Sequence, residues 1–159
     1  SFGEFNLPEG KSLLSIGTEV GFATDNVVDT NNLRESLVAT AKKFLNVPFL
    51  WGGRSFFGID DSGFVQLLYK VHGIALPRDP EQQALQGTAR DFVEESEAGD
   101  LAFFEDAEGK IVHVGLVLSP FEIIHASGKV RIDSLDFSGI YNAEQNKHTH
   151  KLRFVKTMI

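Results

Sequence analysis

Apolar residues recur at helical spacing from Asn32 to Leu45, where Leu33, Leu37, Ala41, Phe44 and Leu45 share one face. Thr30 to Asn32 can cap its start, and Pro48 ends the run. A second helix is predicted from about Ser62 to His72, with Phe64, Leu67, Leu68 and Val71 on one side and Gly73 as its stop. The run "LPRDPEQQALQG" predicts a short third helix, with Asp79 as N-cap, Pro80 at the first helical position and Gly87 beyond the end. Strands follow at 100–104, 110–118, 122–127, 129–135 and 151–157, separated by turn residues. Helices first and a meander afterwards predict an α+β fold, with N-terminal helices packed on a central antiparallel β-sheet. Residues 1–29 read as short extended pieces, "KSLLSIG" and "EVGFA", too short for a domain of their own, so the main domain is expected over 30–159.

Composition narrows the classes. The 159 residues are 42% hydrophobic, enough for the core of one domain, and 14 Phe point to a Phe-rich interior. A formal net charge of −7 argues against a nucleic-acid binder or an anionic membrane surface as partner. No apolar run approaches the roughly 18 residues of a membrane span. The first residues, "SFGEFNLPEG", carry no basic start and no apolar signal core. They read as a cut end, so export could be encoded upstream, in keeping with an envelope or secreted location. With no Cys there is neither disulfide nor thiolate metal site, and five His without an HExxH pattern give little basis for zinc, so neither metal nor cofactor is expected.

His113 and His125 stand out as polar residues in apolar strands. A three-residue loop centred on Ser119 would pair them directly across a hairpin, and a longer one would shift the register. Two readings stand side by side. Either backbone groups satisfy both rings, or His113 is a general base whose ring His125 holds in the correct tautomer. The second needs a nucleophile, and no Cys supplies one.

The stretch "GIDDSGF" puts Asp60 and Asp61 where the second helix begins. A side chain there meets unpaired backbone N–H groups and the positive end of the helix dipole, which favour a thiolate and help stabilise an oxyanion. They favour a carboxylate as well: as an N-cap, Asp61 would contribute on the order of 1 kcal/mol. Ser62 is an alternative nucleophile, though one helical residue further on its hydroxyl points about 100° away.

At this point the residues resemble a known family. "VPFLWGGRSFFGIDDSGFVQ" is similar to the signature of NlpC-type cell-wall cysteine peptidases, a papain-like group, and "LPRDPEQQ", "AGDLAFF", "HVGLVL" and "IIHASGKVRI" follow in family order, over about residues 33 to 157. The resemblance implies that Asp61 holds the nucleophilic cysteine's place, His113 the base's and His125 the third, orienting position. It also implies that Trp51, Asp60, Ser62 and Asp79 line the substrate pocket. Members closest to this pattern cleave the bond between γ-D-glutamate and a diamino acid in murein peptides. The implied partners are therefore small peptides of the L-Ala-γ-D-Glu-diamino acid type. In those members a small β-barrel precedes the catalytic domain, and residues 1–29 would be the tail of one.

Three departures bear on activity. Asp61 replaces the cysteine, Phe49 stands where the family usually has Tyr, and Pro80 stands where a polar residue often follows the Asp of "PRD". A carboxylate forms no thioester and repels a developing oxyanion, so the chain is expected to be inactive as written. Natural loss of the nucleophile, an introduced substitution, and a cysteine oxidised to the sulfinic acid all fit an acid at this position. A non-catalytic module that binds cell-wall peptides is the alternative function.

Four features carry a plainer reading beside the functional one. Trp51 with Gly52 and Gly53 is a substrate wall on the resemblance, and otherwise a core aromatic on a tight turn. Arg78 and Asp79 either bind the charged ends of a peptide or form a local ion pair and helix cap. His148 and His150, in "NKHTHK", have a spacing open to a metal ion but read as an exposed turn, and the acidic stretch from Glu94 to Asp100 reads as a solvated loop.

Overall fold

The structure, a computed structural model, describes residues 30–159. The extended segment expected over residues 1–29 lies outside the described residues.

Helix α1 (Thr30–Lys42) buries Leu37 and Ala41. The chain leaves it through tight turns, with N–H groups of Lys43, Phe44 and Leu45 each bonded three residues back, and Asn46 closes the exit at a φ of 73°. This unwinding turns Phe44 inward and Leu45 outward, so Leu45 leaves the predicted buried face. Helix α2 (Asp61–Val71) buries Phe64, Val65, Leu68 and Tyr69, while Val71 is exposed. It ends in a paired-bond stop: the Gly73 N–H reaches the Lys70 carbonyl and the Ile74 N–H reaches that of Tyr69, with Gly73 at a φ of 83°. Helix α3 shrinks to one turn (Pro80–Gln83), with Asp79 at its N-cap position but no side-chain cap bond. The cap expected from Asp79 is therefore absent.

The strands are a small hairpin of β1 (Arg54–Ser55) and β2 (Gly58–Ile59), then β3 (Thr88–Ala89), β4 (Leu101–Glu105), β5 (Ile111–Ser119), β6 (Glu122–Ser127), β7 (Lys129–Asp136), β8 (Gly139–Asn142) and β9 (Lys147–Thr157). Strands β4 to β9 are antiparallel neighbours in the order β9-β4-β5-β6-β7-β8, and β8 pairs again with β9. The sheet thus closes into a six-stranded barrel, with β3 attached to β9, where the sequence led us to expect a central antiparallel sheet; the α+β class holds. Closure depends on β8, which the sequence pattern did not yield, and on β9 beginning at Lys147 rather than Lys151. Gly139 permits it. A Cβ there would lie 1.8 Å from the His150 carbonyl oxygen, and its φ is 143°.

Because side chains alternate along a strand, the barrel wall serves two cores. Leu101, Phe103, Val114, Leu116, Ile124 and Ala126 face the helices, where α2 lies across β5 and β6. Ala102, Phe104, Val117, Ile123, Leu135, Ile140 and Val155 fill the barrel. The interior is less Phe-rich than composition suggests, since Phe56, Phe57, Phe92, Phe121 and Phe137 are exposed. The stretch 94–100 is only partly solvated: Asp100 is fully buried, its oxygens each 2.9 Å from Arg34 Nη1 and Arg90 Nε.

Candidate active site

The first turn of α2 is fixed by Asp60 rather than Asp61. Asp60 is the N-cap, in extended conformation, and its Oδ1 accepts from the Gly63 N–H at 2.7 Å. Its Oδ2 accepts from the Gly52 N–H at 2.9 Å and from Arg78 Nη2 at 2.6 Å. One buried carboxylate therefore ties together the Trp-Gly-Gly turn, the helix start and the loop before α3. Arg78 also donates to Ser62 Oγ at 2.8 Å, which occupies that hydroxyl and places Arg78 in a pair with Asp60 instead of Asp79. Buried Gln83 adds a brace, its Nε2 donating to the carbonyls of Ser62 and Pro77.

Relieved of capping, Asp61 is the first residue of α2 and turns toward the barrel. Its Oδ2 lies 3.3 Å from His113 Nδ1 and 3.2 Å from the Val114 N–H. Burial pushes this carboxyl up, but the His113 hydrogen bond and charge, with the N–H groups of Ser62 and Val114, together hold it below the usual carboxylate range.

The two strand histidines meet, though not as directly opposed residues. A two-residue turn at Pro120 and Phe121 with a bulge before Ser119 gives the register Leu116↔Ile124, which carried one residue further sets Gly115 opposite His125. His113 is then the diagonal neighbour, and its Nε2 lies 2.9 Å from His125 Nδ1. Gly115 makes the approach possible, because a Cβ there would lie 2.9 Å from the His125 Cβ and 2.7 Å from Ile123 Cδ1.

The sequence reading gave two further neighbours no place at the site. Asp133 on β7 receives His125 Nε2 at 2.7 Å and is gripped by Arg131, Nε to Oδ2 at 2.8 Å and Nη2 to Oδ1 at 3.1 Å. An acid two residues before Leu135, in phase with a barrel-facing position, was the available signal. His150 sits on β9, not in a turn, and its ring stacks on that of His113. His148, also on β9, pairs with Asp136 at 2.9 Å. Burial pushes His125 down to about 4, against the pull of Asp133. Burial also pushes His150 down to about 3, helped by the charges of His113 and His125.

The remaining candidates lie at the rim. Trp51 is 87% exposed, so it is no core aromatic, and Asp79 is exposed beside Arg78. Phe49 is half-buried and bridges to Ile59. Among the described residues no group of three or more His, Asp or Glu is arranged to hold a metal ion.

A helix-start side chain thus faces a histidine that is itself backed by a second histidine on the next strand. Residues 46–152 match the NlpC/P60 family. The chain belongs to the NlpC/P60 family. It is 42% identical over 94 residues to the γ-D-glutamyl-L-lysine dipeptidyl-peptidase of Bacillus cereus (strain ATCC 10987 / NRS 248), a match covering 58% of this chain and 28% of that protein. It thus spans less than a third of that relative's length. An NlpC/P60 family protein crystal structure from Bacillus cereus ATCC 10987 superposes with a TM-score of 0.68 at 32% identity, covering 79% of this chain and 40% of that one. RipD of Mycobacterium tuberculosis, a non-catalytic NlpC/p60 domain protein adapted to peptidoglycan binding, shares the fold with a TM-score of 0.63 at 21% identity, covering 80% of this chain and 98% of that one.

Proposed function

We propose that this NlpC/P60 domain is built to cleave murein peptides between γ-D-glutamate and a diamino acid by cysteine-type acyl transfer, and that Asp61 at the nucleophile's position holds it in a binding-only form. The observation that carries this reading is the 3.3 Å approach of Asp61 Oδ2 to His113 Nδ1, with His125 directly behind His113. The B. cereus relative named for γ-D-glutamyl-L-lysine supports the substrate class.

With a thiol at position 61, His113 Nδ1 takes its proton and the thiolate attacks the γ-carbonyl carbon of D-glutamate. The departing amine of the diamino acid takes the proton back from His113, leaving a thioester that water hydrolyses. The N–H groups that now meet the Asp61 carboxylate would stabilise the thiolate by the same electrostatics. With Asp61 in place, a carboxylate occupies the position facing His113, and a carboxylate forms no thioester.

The test is Asp61→Cys, assayed for release of the diamino acid from L-Ala-γ-D-Glu-diamino acid peptides. Turnover supports the reading. A folded variant with neither turnover nor calorimetric binding of the tripeptide overturns it. The second reading, a peptide-binding module, rests on Asp61 itself, a carboxylate at the nucleophile's position that forms no thioester. Binding by both forms, without turnover after Cys is introduced, favours that module.

A further inference from the structure

We infer that Asp133, clamped by Arg131, is a positioning residue that fixes the tautomer of His125 and keeps a hydrogen on His113 Nε2, so that with a thiol at position 61 the free nitrogen of neutral His113 is the one facing it. His125 is 1% exposed, so both of its ring nitrogens have only protein partners. Its Nε2 meets the Asp133 carboxylate at 2.7 Å, and a carboxylate only accepts, so Nε2 carries the hydrogen. The Nδ1 of neutral His125 is then an acceptor, and the 2.9 Å contact obliges His113 Nε2 to donate. The nitrogen left on His113 to exchange a proton is therefore Nδ1, the one 3.3 Å from Asp61.

The three groups sit on successive strands, β5, β6 and β7, in a diagonal line across the barrel wall. Ile123↔Asp133 and His125↔Arg131 are register partners, so Asp133 is diagonal to His125 as His113 is. Arg131 holds both oxygens of Asp133 in a fork, and its Nη2 is held in turn by Glu144 at 2.9 Å, so the carboxylate cannot rotate away. The other ionisable groups against this line are Asp61 from α2 and His150 from β9. Neither reaches His125 Nε2. Without Asp133 the His125 ring can carry its hydrogen on Nδ1 and donate to His113, which drives the His113 hydrogen onto the nitrogen that should be free. The consequence for turnover rests on the hydrolase reading above; the tautomer assignment does not.

Long-range proton–nitrogen NMR of the imidazoles reads the assignment in the chain as it stands, at neutral pH. The expected result is a His125 ring hydrogenated at Nε2, and a ring hydrogenated at Nδ1 overturns the proposal before any substitution is made. Asp133→Asn should keep the tautomer, because its amide oxygen best occupies the Oδ2 site, where two donors meet. Asp133→Ala should lose it while spectral dispersion shows the fold intact; unchanged His125 signals in that variant overturn the proposal. In the Asp61→Cys background, Asp133→Ala should lower kcat about 10- to 100-fold, the range for outer partners that orient a functional histidine, with KM changed less than about twofold, and Asp133→Asn should recover most of it. If Asp61→Cys itself is inactive, the hydrolase reading falls and the NMR result still decides the role of Asp133.

Discussion

The ring of His150 lies flat over that of His113, with centroids 4.1 Å apart and planes 27° from parallel. A neutral ring fits there, since burial and two neighbouring histidines oppose a charge on His150. Its folded value of about 3, and that of His125 at about 4, lie below the 6.5 of an unfolded histidine. Such groups stabilise the fold fully above about pH 6.5 and lose that contribution as pH falls toward their folded values, because the unfolded chain binds the protons first.

The first prediction follows from that sign. The urea midpoint should decline from pH 7 to pH 4, with uptake of up to two protons on unfolding assigned to His125 and His150. His150→Phe keeps a ring over His113 and removes one titration, so its midpoint should fall less steeply over the same range. A slope identical to that of the parent would show that His150 is not held neutral.

Asp60 should matter more to stability than to any ligand, because its oxygens already serve Gly52, Gly63 and Arg78. Asp60→Ala removes a helix cap worth about 1 kcal/mol and the bond from the Gly52 N–H to the carboxylate, worth about 2 kcal/mol, so urea unfolding should show a loss of about 3 kcal/mol. Arg78→Ala should cost less, under about 1 kcal/mol, since its side chain remains 33% exposed and water screens the pair. Equal losses would contradict this division of labour.

Barrel closure hinges on one glycine. Gly139→Ala puts a methyl against the His150 carbonyl in a backbone region that side chains rarely adopt, so β8 must pull away from β9. Hydrogen exchange should then accelerate across β8 and the Lys147–Lys151 half of β9, while amides of α2 and β5 stay protected. Uniform loss of protection would mean that the barrel closes through other contacts.

Sequence periodicity carried the helices and most strands, because α1, α2 and β4 to β7 bury faces whose spacing is written in consecutive residues. It carried Asp61, His113 and His125 as candidates, because a polar residue at a helix start or within an apolar strand contradicts its surroundings. It misassigned the cap, since Asp60 and Asp61 are chemically alike and only the backbone turn at Asp60 separates their directions. It missed β8, which is only four residues long and begins at a glycine, and the front of β9, where no side chain from Lys147 to His150 is fully buried; β8 takes its partners from β7 and β9.

What the chain determined alone was local: where helices begin, which strand positions are apolar, and which polar residues lie out of pattern. The tertiary structure decided that the sheet closes on itself, that Asp133 lies behind His125, and that His150 covers His113. Those relations join residues far apart along the chain through barrel register, and register depends on bulges, on the Pro120–Phe121 turn and on the absence of a Cβ at Gly115 and Gly139.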